Sequence, residues 1–388
     1  MHRINNQGTL GEFPGGKRKG GPPTPKRPAI AFLVTPKLPL GGRSEKLDCT
    51  TGRLFRRFVN SAGCFRLRFL FADSACHKNK HLKFCVEMLC FNEIETTSAV
   101  FRIRGPDANT FLNGQFSQEL RSPTGHSAYG LWLNPKGKVI ADSTVLRLAD
   151  DEHLVFASTS DPVQLRQRWE DYLVADEVTI ADETGRWGAL LLWGDGLASA
   201  VTQLSGASFG TAGFLCADGA HLFPAWGGRG ARCWLICAYE TKPAWQAKLA
   251  RLGAHAADAN TAALARIRDG IPAVPDDIGP DDLPNEGGLE TTAISYTKGC
   301  YLGQEVMSRL KNLGQVRRKL HVLRGDGAPP APRTALFQSG RRVGETRSAA
   351  ADGDGFAAFA MLSLVSLDPA APLQLGENGP VVEILRRG

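Results

Sequence analysis

The chain has 388 residues, 43% hydrophobic and 22% charged, enough for roughly two or three ordinary domain cores. No run approaches the about 18 consecutive apolar residues of a membrane span. The 43 Gly and 23 Pro follow no triplet repeat, and nine Cys are too few for a disulfide scaffold at this length.

The net charge of +7 is unevenly placed. Residues 1–87 hold 17 Lys and Arg against 5 Asp and Glu, a net of +12, and the rest of the chain carries −5. That remainder gives no reason to expect a surface that coats nucleic acid. Up to about Arg43 the segment is Gly, Pro, Lys and Arg with little periodicity, a composition that cannot offset its ordering entropy by burial. We expect residues 1–87 to be disordered and no part of the working protein, with translation starting at Met88. An organelle presequence and a basic nucleic-acid arm are the competing readings.

From Met88 onward the elements follow in order. Residues 98–104 alternate like a half-buried strand, and Gly105-Pro106-Asp107 turns the chain, with Asp107 as helix N-cap. Residues 128–133 and 139–146 read as two strands joined through Asn134-Pro135-Lys136-Gly137-Lys138. A strand at 154–158, a helix at 162–173 and a strand at 177–180 follow. The apolar run 188–193 suits a buried strand, 197–204 a helix and 232–237 another strand. Helices are expected at 241–253 and 260–268, stopped by Gly253 and Gly270. Strands and helices alternate irregularly, which points to an α+β class. After about Arg317, strand segments at 319–323, 341–346, 356–364 and 381–385 with Gly turns read as a small β-barrel. The expected organisation is therefore 1–87, an α+β region over 88–316 in two subdomains, and a barrel over 317–388.

The densest chemical segment is Lys298-Gly299-Cys300-Tyr301-Leu302-Gly303-Gln304-Glu305, a loop opening into a helix. A thiol after Gly, two residues from a Lys and near helix N–H groups, is favoured as thiolate, the nucleophilic and metal-binding form. A small buried Cys in a tight turn is the bland alternative. Asp142, on a strand after a Gly-Lys turn, can accept from a heterocyclic N–H pair or a substrate amine; a solvated strand residue is its alternative. Asn113-Gly114-Gln115 reads as a helix C-cap. Asp276-Asp277 and Asp281-Asp282 read as solvated acidic loops, Cys233 and Cys237 as core. The basic run Arg309, Lys311, Arg317, Arg318, Lys319 reads as a solvated face, and direct nucleic-acid binding is not expected. No HExxH, P-loop, GxSxG or strand-linked GxGxxG occurs.

The 298–305 segment resembles the signature of YgfZ-type folate-binding proteins. These are relatives of the glycine-cleavage T-protein, an aminomethyltransferase, and act in iron–sulfur cluster assembly or repair. Phe111-Leu112-Asn113-Gly114-Gln115, the 134–142 hairpin, Arg266 to Pro272, Leu283-Pro284-Asn285-Glu286 and Val343 to Ser348 resemble further family segments in the family's order. The likeness runs from about Glu95 to about Leu367.

It implies a T-protein-like ring of α+β domains around a central folate channel, plus a small C-terminal β-barrel. Carried over position by position, Cys300 would be the functional thiol and Lys298 its electrostatic partner. Gly299, Tyr301 and Gly303 would belong to the loop, while Gln304, Glu305 and Arg309 would anchor it or touch ligand. Asp142 and Glu286 would contact folate. Arg268 stands where the T-protein pattern has an acid, which argues against aminomethyl transfer. The implied cofactor is tetrahydrofolate or a one-carbon derivative, with no stably bound metal, since a cubane cluster usually takes four thiolates. The implied role is that of an accessory factor for iron–sulfur assembly proteins or client enzymes, including those of tRNA modification, more than a classical enzyme. A folate-dependent aminomethyl- or methyltransferase is the alternative. No membrane is involved, and a working thiol indicates the cytoplasm, or the mitochondrial matrix should residues 1–87 be a presequence.

Overall fold

The computed structural model describes residues 88–94, 98–209, 213–225 and 232–386; the reading of residues 1–87 lies outside them. In chain order come β1 (Cys90–Glu93), β2 (Ala99–Arg104), α1 (Ala108–Gln115), β3 (Ser127–Leu133), β4 (Val139–Ala149), β5 (Glu152–Ala157), α2 (Pro162–Glu170), β6 (Thr179–Asp182) and β7 (Trp187–Trp193). Next are α3 (Leu197–Ser205), β8 (Leu215–Ala217), β9 (Ala220–Pro224), β10 (Arg232–Ala238), α4 (Lys242–Arg251), β11 (His255–Ala256), α5 (Ala259–Asp269) and α6 (Gln304–Leu313). Six further strands complete the set: β12 (Arg318–Asp326), β13 (Ala335–Gln338), β14 (Arg341–Asp352), β15 (Gly355–Ser363), β16 (Leu373–Leu375) and β17 (Val381–Arg386).

The strands make a five-stranded sheet in the order β3-β4-β5-β2-β6, a six-stranded sheet β11-β1-β7-β10-β9-β8, and a closed barrel β12-β15-β14-β13-β16-β17. The class is α+β with a C-terminal barrel. Strand alternation sorts the side chains into layers. On β5, Val155 and Ala157 join α1 and α2 (Phe111, Leu112, Leu165, Trp169) in one core. Their neighbours Leu154 and Phe156 point the other way and meet Ala189, Phe223 and Ile236 of the six-stranded sheet. Leu190 and Leu192 of β7, with Cys233 and Cys237 of β10, pack against Leu197, Val201, Trp245 and Leu249 of α3 and α4. The two sheets thus lie face to face, each covered outside by two helices. A further cluster joins Leu131, Leu133 and Val139 to Ile267 of α5, to Tyr301 and Met307, and to Leu320, Val322, Phe359 and Met361 of the barrel.

Several local expectations are corrected. Asp107 stands at the α1 N-cap position but makes no side-chain cap bond; its Oδ2 accepts instead from the Glu177 N–H at 2.8 Å. Helix α2 ends at Glu170 instead of reaching Leu173. The acidic pairs divide, with Asp276 and Asp281 exposed while Asp277 and Asp282 are buried. Asp277 accepts from Arg266, from Ala273 N–H and from the Ser348 N–H and hydroxyl. Asp282 accepts from Gly279 N–H, Arg318 and Arg347. These acids tie the 271–286 segment to α5 and the barrel. Arg318 is likewise drawn out of the supposed solvated basic face.

Candidate functional site

Where the apolar contact between the sheets gives out, a cavity of about 230 Å³ opens between β3–β5, β7 and β10, α5 and the 271–274 segment. Asp142 reaches it because it shares a β4 face with Thr144 and Leu146, the face turned to the second sheet. Tyr129 stands diagonally across the hairpin, since Leu131 pairs with Asp142 and Tyr129 with Thr144. Its hydroxyl donates to Asp142 Oδ2 at 3.0 Å. Asp142 Oδ1 is shut off from solvent and has no hydrogen-bond partner. Burial pushes the Asp142 carboxyl up to about 6, partly offset by the Tyr129 hydrogen bond, and burial with the facing carboxylate also pushes the Tyr129 hydroxyl up.

The two arginines lining this cavity are already engaged. Arg232 Nη2 donates to Asp269 Oδ2 at 2.6 Å. Arg266 donates to Asp277 at 2.5 Å, to the Ile271 carbonyl at 2.9 Å and to Ser348 Oγ at 2.7 Å. Phe156, Leu191 and Trp234 add apolar wall. The result is a small, mostly apolar hollow with the Asp142 carboxyl in its wall, the kind of place that orients a flat ligand by its polar edge.

The Lys298–Glu305 loop is built separately. Lys298 is buried, and its ammonium donates to the carbonyls of Asn113, Phe116 and Gln118 at 2.7, 2.7 and 2.9 Å. Those bonds occupy all three of its protons. Burial lowers its pKa to about 8, with Glu119 opposing. The Leu302 N–H adds a bond to the Gly114 carbonyl, so the loop is clasped to the end of α1. Gly303, the α6 N-cap, has φ +86°, and a Cβ there would stand 2.8 Å from the Asn134 carbonyl oxygen; only glycine fits. Gly299 faces no such limit, its nearest neighbour being Arg121 Nη2 at 3.6 Å from a Cβ. Tyr301 is buried in the shared apolar cluster, with its hydroxyl unpartnered and its pKa raised by burial.

Cys300 is exposed and lies outside the cavity lining, as does Lys298. Gln304 begins α6, where Glu305 and Arg309 pair with each other on the exposed face. Glu286 is buried and committed. Its Oε2 accepts from Leu283 N–H at 2.7 Å and its Oε1 from Arg318 Nε at 2.8 Å, and it does not line the cavity. Of the residues singled out from the sequence, the structure puts Asp142 in the cavity and Cys300 on the surface. Tyr129, Arg232, Trp234 and Arg266 were missed. Tyr129 was within reach, because extending the hairpin register back from Asn134-Pro135-Lys136-Gly137 places it beside Asp142.

Comparison with known proteins gives a consistent result. The GCVT N-terminal domain family matches residues 90–217. The chain is 31% identical over 271 residues to the tRNA-modifying protein YgfZ of Edwardsiella ictaluri, spanning 65% of this chain and 78% of that protein. It is 27% identical over 285 residues to the mitochondrial iron–sulfur cluster assembly factor IBA57 of Homo sapiens, spanning 68% and 74%. Among solved structures, the glycine cleavage system aminomethyltransferase T from Bartonella henselae superposes with a TM-score of 0.65 at 16% identity, covering 77% of this chain and 86% of that one. At that identity the likeness is one of fold.

Proposed function

The chain belongs to the YgfZ family of T-protein-like proteins, and from that premise we propose that it is a tetrahydrofolate-binding accessory factor for iron–sulfur cluster assembly or repair. Its clients would include iron–sulfur enzymes that modify tRNA. The observation that carries this reading is the separation of an enclosed, half-satisfied carboxylate from an exposed motif thiol.

The cavity suits the head of a folate. Pterins present neighbouring N–H donors along one edge, and Asp142 Oδ1 is a buried acceptor without a donor. At about 230 Å³ the hollow lies below the ~300–1,000 Å³ of whole-ligand pockets, which suits a ring system with its tail outside. Bound tetrahydrofolate would supply a one-carbon acceptor or carrier. Asp142 holds the ring edge, Tyr129 fixes the carboxylate, and Phe156, Leu191 and Trp234 keep water from the flat face.

Cys300 works outward. One thiol cannot hold a cluster that usually needs four, so it acts as a single soft ligand or exchange partner for a cluster carried by another protein. The 27%-identical human relative bears the name of a cluster assembly factor, which supports this direction. Arg268, which stands in place of an acid, binds Asp352 of the barrel at 2.5 Å and lies outside the cavity lining, which weighs against aminomethyl transfer. A working thiol needs a reducing compartment, the bacterial cytoplasm in our reading; relatives named mitochondrial make the matrix the alternative. No helix among the described residues is long and apolar enough to cross a membrane.

The test pairs two variants. Tetrahydrofolate should bind the wild type and C300A equally and D142N at least about tenfold more weakly. In cells lacking the protein, C300A should fail to restore iron–sulfur enzyme activity. Full rescue by C300A would refute the thiol role. Unchanged binding by D142N would refute the folate site, and production of methylene-tetrahydrofolate from a lipoyl-linked aminomethyl donor without Cys300 would favour the transferase.

A further inference from the structure

A second exposed thiol lies in a better chemical setting than the motif cysteine. The β8–β9 hairpin closes one edge of the six-stranded sheet, with β9 on one side of β8 and no sheet strand on the other among the described residues. Its register sets Cys216 opposite His221, and Cys216 Sγ lies 3.3 Å from His221 Nδ1. The imidazole is held in that aim, its ring 5.5 Å from the Trp187 ring and 5.6 Å from Phe214, which meets it edge-on. Cys90, Cys233 and Cys237 are buried, whereas Cys216 is exposed. Cys300, also exposed, has no imidazole within hydrogen-bond reach among the described residues.

We propose that Cys216 and His221 form a nucleophile–base pair that makes Cys216 a thiol-exchange site for low-molecular-weight disulfides of the glutathione type. A nucleophile and a base within hydrogen-bond reach, the base oriented by a third group, is the arrangement such chemistry uses; here ring packing does the orienting.

Partial burial raises the Cys216 thiol, so little thiolate forms unaided. Burial and the charge of Arg102 lower His221, keeping the imidazole neutral and able to accept. Arg102 in turn is paired with Glu183 and Glu152, and Glu183 also accepts from Trp187 Nε1. In the exchange, His221 Nδ1 takes the thiol proton as Sγ attacks one sulfur of the small disulfide. The new Sγ–S bond forms while the old S–S bond breaks, and the departing sulfur leaves with the bonding pair and takes the proton from His221. Cys216 ends oxidised in a mixed disulfide, and half of the small disulfide ends as a free thiol. Cys216 is exposed, so a small disulfide can reach it.

The experiment incubates the full chain with oxidised glutathione and follows the Cys216 peptide by non-reducing mass spectrometry, beside H221Q and a C216S control. A positioned base typically contributes about 100-fold or more to such a step, so at neutral pH the wild type should react at least about tenfold faster than H221Q. A ratio below about threefold overturns the proposal. Should H221Q lose its fold, the wild-type pH profile decides. A rate that levels off once His221 is neutral supports the base, and one rising about tenfold per pH unit up to the thiol's own pKa overturns it.

Discussion

Lys298 closes the end of α1: its ammonium donates to the Asn113 carbonyl at 2.7 Å, a group that α1 leaves without an intrahelical partner. A cation there also suits the negative end of the helix dipole. With Phe116 and Gln118 as further acceptors, the motif lysine secures the loop that carries Cys300.

Lys298→Met leaves three carbonyls in a buried place without their donor. It should cost about 3 kcal/mol, at the upper end for a charged hydrogen-bonding group, and should speed alkylation of a loosened Cys300. Denaturant unfolding and the iodoacetamide rate check both. Native stability with a slower Cys300 would restore an electrostatic role.

Asp142 binds its proton more tightly folded than unfolded, at about 6 against 3.8. The resulting stability is full below 3.8 and is lost as pH rises through 6. At pH 8 the buried carboxylate therefore costs about 3 kcal/mol. D142N should be more stable than wild type by that order at pH 8 and equal to it at pH 3.5. Urea midpoints at the two pH values test this. Wild-type affinity for tetrahydrofolate should rise between pH 5 and 7.5 as the accepting form appears.

His153 has the reverse sign. It is fully buried, neither ring nitrogen has a hydrogen-bond partner, and burial lowers its pKa from 6.5 to about 4. The unfolded chain takes up the proton first, so stability falls between pH 6.5 and 4, by about 3 kcal/mol in total. His153→Phe should flatten that part of the pH–stability curve; an unchanged slope would contradict the assignment.

Gly303→Ala forces a Cβ onto a left-handed backbone position and against the Asn134 carbonyl. A loss of about 2 kcal/mol or more is expected. Gly299→Ala, with open space around it, should stay within about 1 kcal/mol of wild type. Thermal melts of the two variants side by side give the comparison.

Local signals carried much of the frame. The β3–β4 hairpin was legible because Pro135 and Gly137 interrupt two apolar runs, and α5 because Gly270 stops it in a left-handed C-cap. β13 and β16, with four and three residues, are too short for any period to register, and only their barrel neighbours define them. The acidic pairs misled for a related reason. Which of Asp281 and Asp282 turns inward is decided by Arg318 and Arg347, 36 and 65 residues beyond Asp282. Lys298 looked like a companion to Cys300 two positions away, yet its partners lie 180 or more residues back. Asp142 could be named as an acid on a strand, but its orphaned oxygen exists only once the second sheet is in place.

The apolar cluster beneath the motif loop gathers Tyr301 and Met307 together with Leu320, Val322, Phe359 and Met361. During synthesis the loop therefore leaves the ribosome before the barrel part of the floor it rests on. A message truncated or frameshifted soon after codon 305 would encode every residue of the signature and still yield a thiol on an unfinished support. Maturation of that loop is in this sense an event of chain completion, and premature-stop alleles late in the gene should behave as complete losses.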